Sequence, residues 1–286
     1  MTELRSTKPA SNPLRSVLLL FAVLCSFAGT AQPLGIAYYD VDRLYDTVVS
    51  PFYNDTDFTP AGRLRWDSER YRRKIDRTAA VIDSMSLPVV ALYGVENEAV
   101  VRDLVRASRN YYAYLHRTLN RLDGLDFALL YYGDRFFPHF TEPGNGYLYV
   151  EGTLSARYRR TCDTLGLLLC HREDMADWVL QFLREEHPNT AMVVLGRFRP
   201  DKVSAHGFRD ATARAEKSGH GNRFRRNGWE MRDRIAADTA LHVEYCDVYI
   251  RRWLLDPADG KPLPTYDNRR YRGGYGWSLP VFVYLR

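Results

Sequence analysis

An apolar run, Ala191-Met192-Val193-Val194-Leu195, ends in Gly196-Arg197-Phe198-Arg199. The run reads as a strand, so two arginines stand two residues apart at its end. Guanidinium groups placed this way can hold a phosphate or carboxylate through paired N–H donors without a metal. A second basic stretch, Arg223-Phe224-Arg225-Arg226, could extend that face. The competing reading of this stretch is a solvated loop, since charge runs are commonly exposed.

The elements that must position these groups follow from periodicity. Leu34 to Tyr39 reads as a first strand. From Asp67, Tyr71, Ile75, Thr78, Ala79, Ile82 and Met85 recur at helical spacing, with Asp67 or Ser68 as the cap. Val89 to Tyr93 is a short buried strand and Glu98 to Ala107 a second helix. Strands are expected at Leu125–Tyr132, Tyr147–Leu154, Leu165–Cys170, Ala191–Leu195 and Pro280–Leu285, with partial alternation from Val243 to Leu255. Met175 to Leu183 marks a helix that stops before Pro188. Strands outnumber helices and the two are interspersed, which argues for a layered sheet-and-helix domain.

The chain has 286 residues, 45% of them hydrophobic, enough for a sizeable single core. Arg5, Lys8 and Arg15 precede the apolar run Val17–Leu24, and Gly29-Thr30-Ala31 supplies small residues before a cut. That is the layout of a secretory signal peptide over residues 1–31, leaving one domain at 32–286. The apolar run is shorter than the ~20 residues a membrane span needs, so no span is expected in the mature chain. The mature protein is expected in the periplasm or outside the cell. Removing residues 1–31 lowers the net charge from +5 to +3, which by itself argues little for nucleic acid. The mature chain keeps Cys162, Cys170 and Cys246, in no metal-type spacing. They are expected as small buried residues, with a Cys162–Cys170 pair only if a turn brings them together.

Six segments resemble the endonuclease/exonuclease/phosphatase family, the DNase I-like phosphodiesterases, and follow its chain order. Gly196-Arg197-Phe198-Arg199 is similar to that family's Gly-Asp-Phe-Asn strand end. Tyr39-Asp40-Val41-Asp42-Arg43-Leu44-Tyr45-Asp46 resembles its first strand, Tyr93-Gly94-Val95-Glu96-Asn97 its Cys-Glu-Val-Glu-Asn motif, and Asp123 to Tyr131 its Arg-Gly-Ile-Asp strand. Cys170-His171-Arg172 stands where a longer Asn-His-Trp-Pro segment does. Gly273-Gly274-Tyr275-Gly276-Trp277-Ser278-Leu279-Pro280-Val281 resembles Gly-Gly-Tyr-Ser-Asp-His-x-Pro-Val. The resemblance implies an α/β fold, a four-layer α/β sandwich of two packed mixed sheets flanked by helices.

It also implies a reaction, metal-dependent hydrolysis of a phosphate ester. The matching positions depart from it. The metal glutamate falls on Gly94, the water-activating Asp and its Asn on Arg197 and Arg199, and the Asp-His pair on Trp277 and Ser278. Asp40, Asp126 and His171 keep polar groups in place. Loss of one positioned catalytic group costs ~10²–10⁴-fold. Two like charges ~4 Å apart repel by about 4 kcal/mol at an effective dielectric of 20, so the arginines also oppose a cation.

The expectation is therefore an exported domain that binds rather than cleaves. Arg197, Arg199 and Ser278 would hold an unidentified anionic or phosphorylated ligand, and no metal would be needed. The alternative is a divergent phosphodiesterase or nuclease using Asp40, Glu96, Asp126 and His171. Residues i and i+2 of a strand share a face, so Glu96 would point where Gly94 does and, with Asp40, hold Mg²⁺ or Mn²⁺. In a third arrangement these acids pair with Arg197 and Arg199 and fill the pocket with ion pairs. Trp229 and Asp233 read as structural.

Overall fold

The computed structural model describes residues 32–119, 121–155, 163–173, 176–226 and 228–286. The expected leader and Cys162 lie outside them.

Two six-stranded sheets pack face to face. The first contains β1 (Leu34–Leu44), β2 (Val89–Val95), β3 (Ala113–Arg117) and β4 (Asp126–Tyr131). The second contains β5 (Phe136–Gly144), β6 (Tyr147–Leu154), β7 (Thr164–Cys170), β8 (Ala191–Gly196) and β9 (Phe208–Asp210). A ribbon, β10 (Arg223–Arg225) and β11 (Gly228–Glu230), precedes β12 (Arg234–Asp238), which joins the second sheet. β13 (Val243–Val248) and, after a short hairpin of β14 (Tyr266–Asp267) and β15 (Arg270–Tyr271), β16 (Val281–Leu285) complete the first. The strand orders are β13-β16-β1-β2-β4-β3 and β5-β6-β7-β8-β12-β9.

Each sheet is mixed, with one parallel pair: β1 with β2, and β7 with β8. A parallel pair needs a crossover, and each has a helix. Helix α1 (Ser68–Met85) links β1 to β2, and α3 (Ala176–Glu186) links β7 to β8; α2 (Glu98–Ala107) follows β2. The Asp67 carboxylate accepts the N–H of Arg70 at 2.9 Å, and Asn97 caps α2 by accepting from Val100 at 3.0 Å. Ile75, Ala79, Ile82 and Met85 then fall on one buried face of α1.

Alternation within strands builds the layers. Leu167 and Leu169 of β7 point into the core shared by both sheets, while Leu168 between them packs under Val179, Leu180 and Leu183 of α3. The order of layers is helices, first sheet, second sheet, helix, the expected four-layer sandwich. Cys170 and Cys246 are buried free thiols. No helix among the described residues is long and apolar enough to cross a membrane.

Candidate functional site

The carboxyl ends of the two parallel pairs converge, bringing Asp40 of β1, Tyr93 of β2, His171 after β7 and Arg197 after β8 to one cleft of about 400 Å³. Gly196 sets the last of these. Its φ is 112°, and a Cβ there would lie 2.1 Å from the Cys170 carbonyl oxygen, so no other residue fits. The chain turns, the Arg197 N–H donates to Cys170 O at 2.9 Å, and the Arg197 side chain swings across the cleft floor.

Arg197 is spent on this floor. Its Nη2 donates to Asp40 Oδ2 at 2.5 Å, its Nε to Asp233 Oδ1 at 3.2 Å, and its Nη1 to His171 Nε2 at 2.9 Å. Asp233, with a side chain 1% exposed, also accepts from Asn222 Nδ2 at 2.8 Å. Asn222 is fully buried; its Oδ1 takes the N–H groups of Arg232 and Asp233, and its Nδ2 reaches Leu279 O at 3.2 Å. One guanidinium thus lies between two buried carboxylates. Burial and then the Asp233 charge push Asp40 above the usual carboxylate range, and Arg197 opposes them. The Tyr38 hydroxyl, wholly buried, is held far above its ordinary value by burial and then by Asp233 and Asp40.

His171 cannot serve as the base considered from sequence. An arginine only donates, so His171 Nε2 is the acceptor and the proton sits on Nδ1. Burial, then Arg197 and Arg121, press its pKa down to about 2. Its ring stacks on Tyr93 with centroids 3.4 Å apart. The lone pair is occupied and the imidazole stays neutral, which makes it a wall of the cleft.

Glu96 departs from the expected geometry. β2 is irregular at Gly94, where φ is +93°, and the strand ends at Val95, so the two-residue repeat does not carry through. A Cβ on Gly94 would sit 3.5 Å from Asp40 Oδ1, so position 94 faces the cleft. The Glu96 carboxylate instead accepts the Asp46 N–H at 2.5 Å and the Tyr53 hydroxyl at 2.9 Å. Burial raises it to about 7, although those two hydrogen bonds act against the rise. Asp126 is also elsewhere: it accepts the Leu119 N–H at 2.8 Å and lies 3.2 Å from His116 Nε2. The carboxylate cluster of Asp40, Glu96 and Asp126 does not form.

The donor set therefore does not fit a divalent cation in the way the sequence alternative required. Asp40 is committed to Arg197, and Glu96 and Asp126 serve separate backbone networks. Among the described residues, no three His, Cys, Asp or Glu side chains come together with metal-binding geometry.

Arg199 separates from Arg197 as well. The chain has left the strand and Arg199 precedes the short helix α4 (Pro200–Ala205), where it pairs with Asp201 at 2.7 Å with its side chain 57% exposed. Ser278 does line the cleft beside Trp277, buried, through a backbone bridge to Arg223. Lys74 secures that segment, donating to Tyr275 O at 2.7 Å and Thr265 Oγ1 at 2.8 Å, while the Tyr39 hydroxyl reaches Tyr275 O at 3.0 Å.

Sequence reasoning missed Asn222 and the site role of Asp233. An arginine at the end of a buried strand demands a buried acceptor, and that demand was the available signal; nothing local to Asn222 marked it. It also missed Arg232. Arg223 and Arg232 line both the cleft and an adjoining depression of about 750 Å³. Both are half-buried, and neither has a side-chain ion pair among the described residues.

Residues 35–158 match the model of the Endonuclease/Exonuclease/phosphatase family. The fold is that of the endonuclease/exonuclease/phosphatase family. Solved structures of this fold cover the chain nearly end to end. An endonuclease/exonuclease/phosphatase family protein from Bacteroides thetaiotaomicron is 14% identical over 89% of this chain and 98% of its own, with a TM-score of 0.56. A humanized D. rerio TDP2 carrying 14 mutations is 15% identical, covering 89% and 99%, with a TM-score of 0.56. A mannosyl-6-phosphatase from B. thetaiotaomicron VPI-5482 is 15% identical, covering 88% and 99%, with a TM-score of 0.55. No curated protein matches the chain by sequence. The cleft at the carboxyl ends of β1, β2, β7 and β8 is thus the chemically furnished edge of an endonuclease/exonuclease/phosphatase sandwich.

Proposed function

We propose that this chain is an exported endonuclease/exonuclease/phosphatase-fold protein that binds a phosphate-bearing anion in the cleft and does not hydrolyse it. The observation that carries the reading is the contrast among the arginines. Arg197 is neutralised by Asp40 and Asp233, whereas Arg223 and Arg232 stand half-buried on the cleft wall with no side-chain ion pair among the described residues, although Glu230 lies opposite Arg223 in the ribbon. A partly desolvated guanidinium without a counterion favours an anionic ligand, and its planar fork suits phosphate. The sequence expected Arg197 and Arg199 to hold the anion; Arg223 and Arg232, with Ser278 between strand ends, are better placed. A mannosyl-6-phosphatase of the same fold is consistent with a phosphate-bearing ligand.

Absence of hydrolysis is supported by the groups in the cleft. Its histidine is neutral with an occupied lone pair, and of its carboxylates Asp40 is paired with the Arg197 cation. The export reading rests on the signal-like layout of residues 1–31.

Two assays together test the proposal. Inorganic phosphate should bind wild type, and Arg197→Ala/Arg199→Ala should retain part of that affinity because the unpaired arginines remain. A phosphodiester substrate with Mg²⁺ or Mn²⁺ should show no turnover. Metal-dependent cleavage abolished by Glu96→Ala would replace this reading with that of a divergent phosphodiesterase.

A further inference from the structure

The cleft opens onto two neighbouring hollows. Asp123 is common to the cleft and to a depression of about 750 Å³ that includes Arg121, Asn145 and Arg172. Arg172 in turn is common to that depression and to the one containing Arg223 and Arg232. The three hollows thus adjoin one another, each sharing a wall with the other two.

The charge along this groove of adjoining hollows is uneven. The hollow beyond Arg197 is walled by seven arginines and two glutamates, and three of those arginines, Arg197, Arg199 and Arg234, are ion-paired with acids outside its lining. Arg223 and Arg225 lie at i and i+2 of β10, on one face of the ribbon and roughly 6.5 Å apart. Neither has an ion-pair partner among the described residues, and neither does Arg232. Arg225 stands one strand repeat farther along the ribbon than Arg223, where a second phosphoryl group of a chain can meet it.

We propose that the groove binds a linear polyphosphate chain, with Arg223 and Arg232 holding one phosphoryl group and Arg225 the next ones along. This rests on the reading that the cleft binds phosphate. The wall chemistry favours such a chain over single-stranded nucleic acid. Bases need ring faces to stack on. In the basic hollow the aromatic rings are Phe198, which is 3% exposed, and His171, one face of which is covered by Tyr93; Trp277 lines the cleft and Trp229 stands on the ribbon, neither of them in the hollow's lining. Guanidinium groups supply the rest of the recognition, and they read phosphoryl oxygens.

The test titrates the whole protein with inorganic phosphate, tripolyphosphate, a longer polyphosphate and an oligothymidylate of equal charge. Affinity should rise about tenfold or more from phosphate to tripolyphosphate, since each added charge-assisted pair contributes roughly that factor. The dependence of log affinity on log salt should steepen with chain length. Arg225→Ala, an exposed site, should shrink the tripolyphosphate-to-phosphate ratio by about tenfold. Equal affinity for phosphate and tripolyphosphate would overturn the groove while leaving the phosphate site intact. Tighter binding of the oligothymidylate than of polyphosphate would overturn the ligand class. Failure of every anion, phosphate included, would instead remove the reading beneath it.

Discussion

Two sets of arginines lie within one cleft and are treated oppositely by the fold. On the floor, Arg197 is enclosed by Asp40, Asp233 and His171, with Asn222 behind Asp233. On the wall, Arg223 and Arg232 line the cavity and make no side-chain ion pair among the described residues. The floor satisfies its charges internally, and the wall does not. Burial of a charge is tolerated only with a partner, so the floor reads as structure. A wall of half-buried cations without partners is tolerated where water or a ligand completes them, and that reads as function.

Removing the floor cation should have the largest effect. Arg197→Ala leaves two carboxylates facing each other in the interior and should cost about 3–5 kcal/mol of stability near pH 7. Protonation of either acid relieves the repulsion, so the deficit should be smaller at pH 5 than at pH 8. Urea unfolding at both values measures it; a deficit under about 0.5 kcal/mol would erase the distinction between floor and wall.

Asn222→Ala comes next. It strands an oxygen of Asp233 and two backbone N–H groups, at a cost of about 2–4 kcal/mol. It should also weaken anion binding, because the Arg232 backbone is tied to Asn222. Stability falling while binding is untouched would show that floor and wall are independent.

Glu96→Gln gives a smaller, pH-dependent change. The folded protein holds Glu96 at about 7, above the 4.5 of an ordinary glutamate, so the folded state binds the proton more tightly than the unfolded one. That contribution is present below about pH 4.5 and is lost as pH rises through 7. The glutamine variant should therefore match wild type near pH 4.5 and exceed it by about 1–3 kcal/mol at pH 8. Thermal melts across this range check it, and a variant less stable at pH 8 would show that Glu96 is ionised in the fold.

Arg225→Ala, exposed on the ribbon, should change stability by less than about 0.5 kcal/mol. A larger loss would make β10 part of the structural floor rather than of the wall.

Much of the frame was legible in the sequence. The α1 periodicity and its Asp67 cap, the Glu98–Ala107 helix and the Tyr147–Leu154 strand appear as expected, because local pattern and burial agree there. β5 was invisible because Pro138 and Pro143 interrupt it, a pattern permitted at the sheet edge it occupies. β3 and β12 were also missed; β3 is an edge strand with few buried residues. The site was legible only in part. Asp40, Arg197, His171 and Ser278 do converge, but the two-residue spacing misled twice. Glu96 was assigned to the Gly94 face, and the irregular backbone at Gly94 cancels that repeat. Arg199 was paired with Arg197, and the turn after Gly196 sends them apart. Such backbone departures are set by tertiary packing, which a strand rule cannot see.

The most direct test compares pyrophosphate binding by calorimetry in wild type and in Arg223→Ala/Arg232→Ala, with stability measured alongside. The account predicts a weakening of about 10–100-fold in the double variant with folding intact. Equal affinities in the two proteins would contradict it.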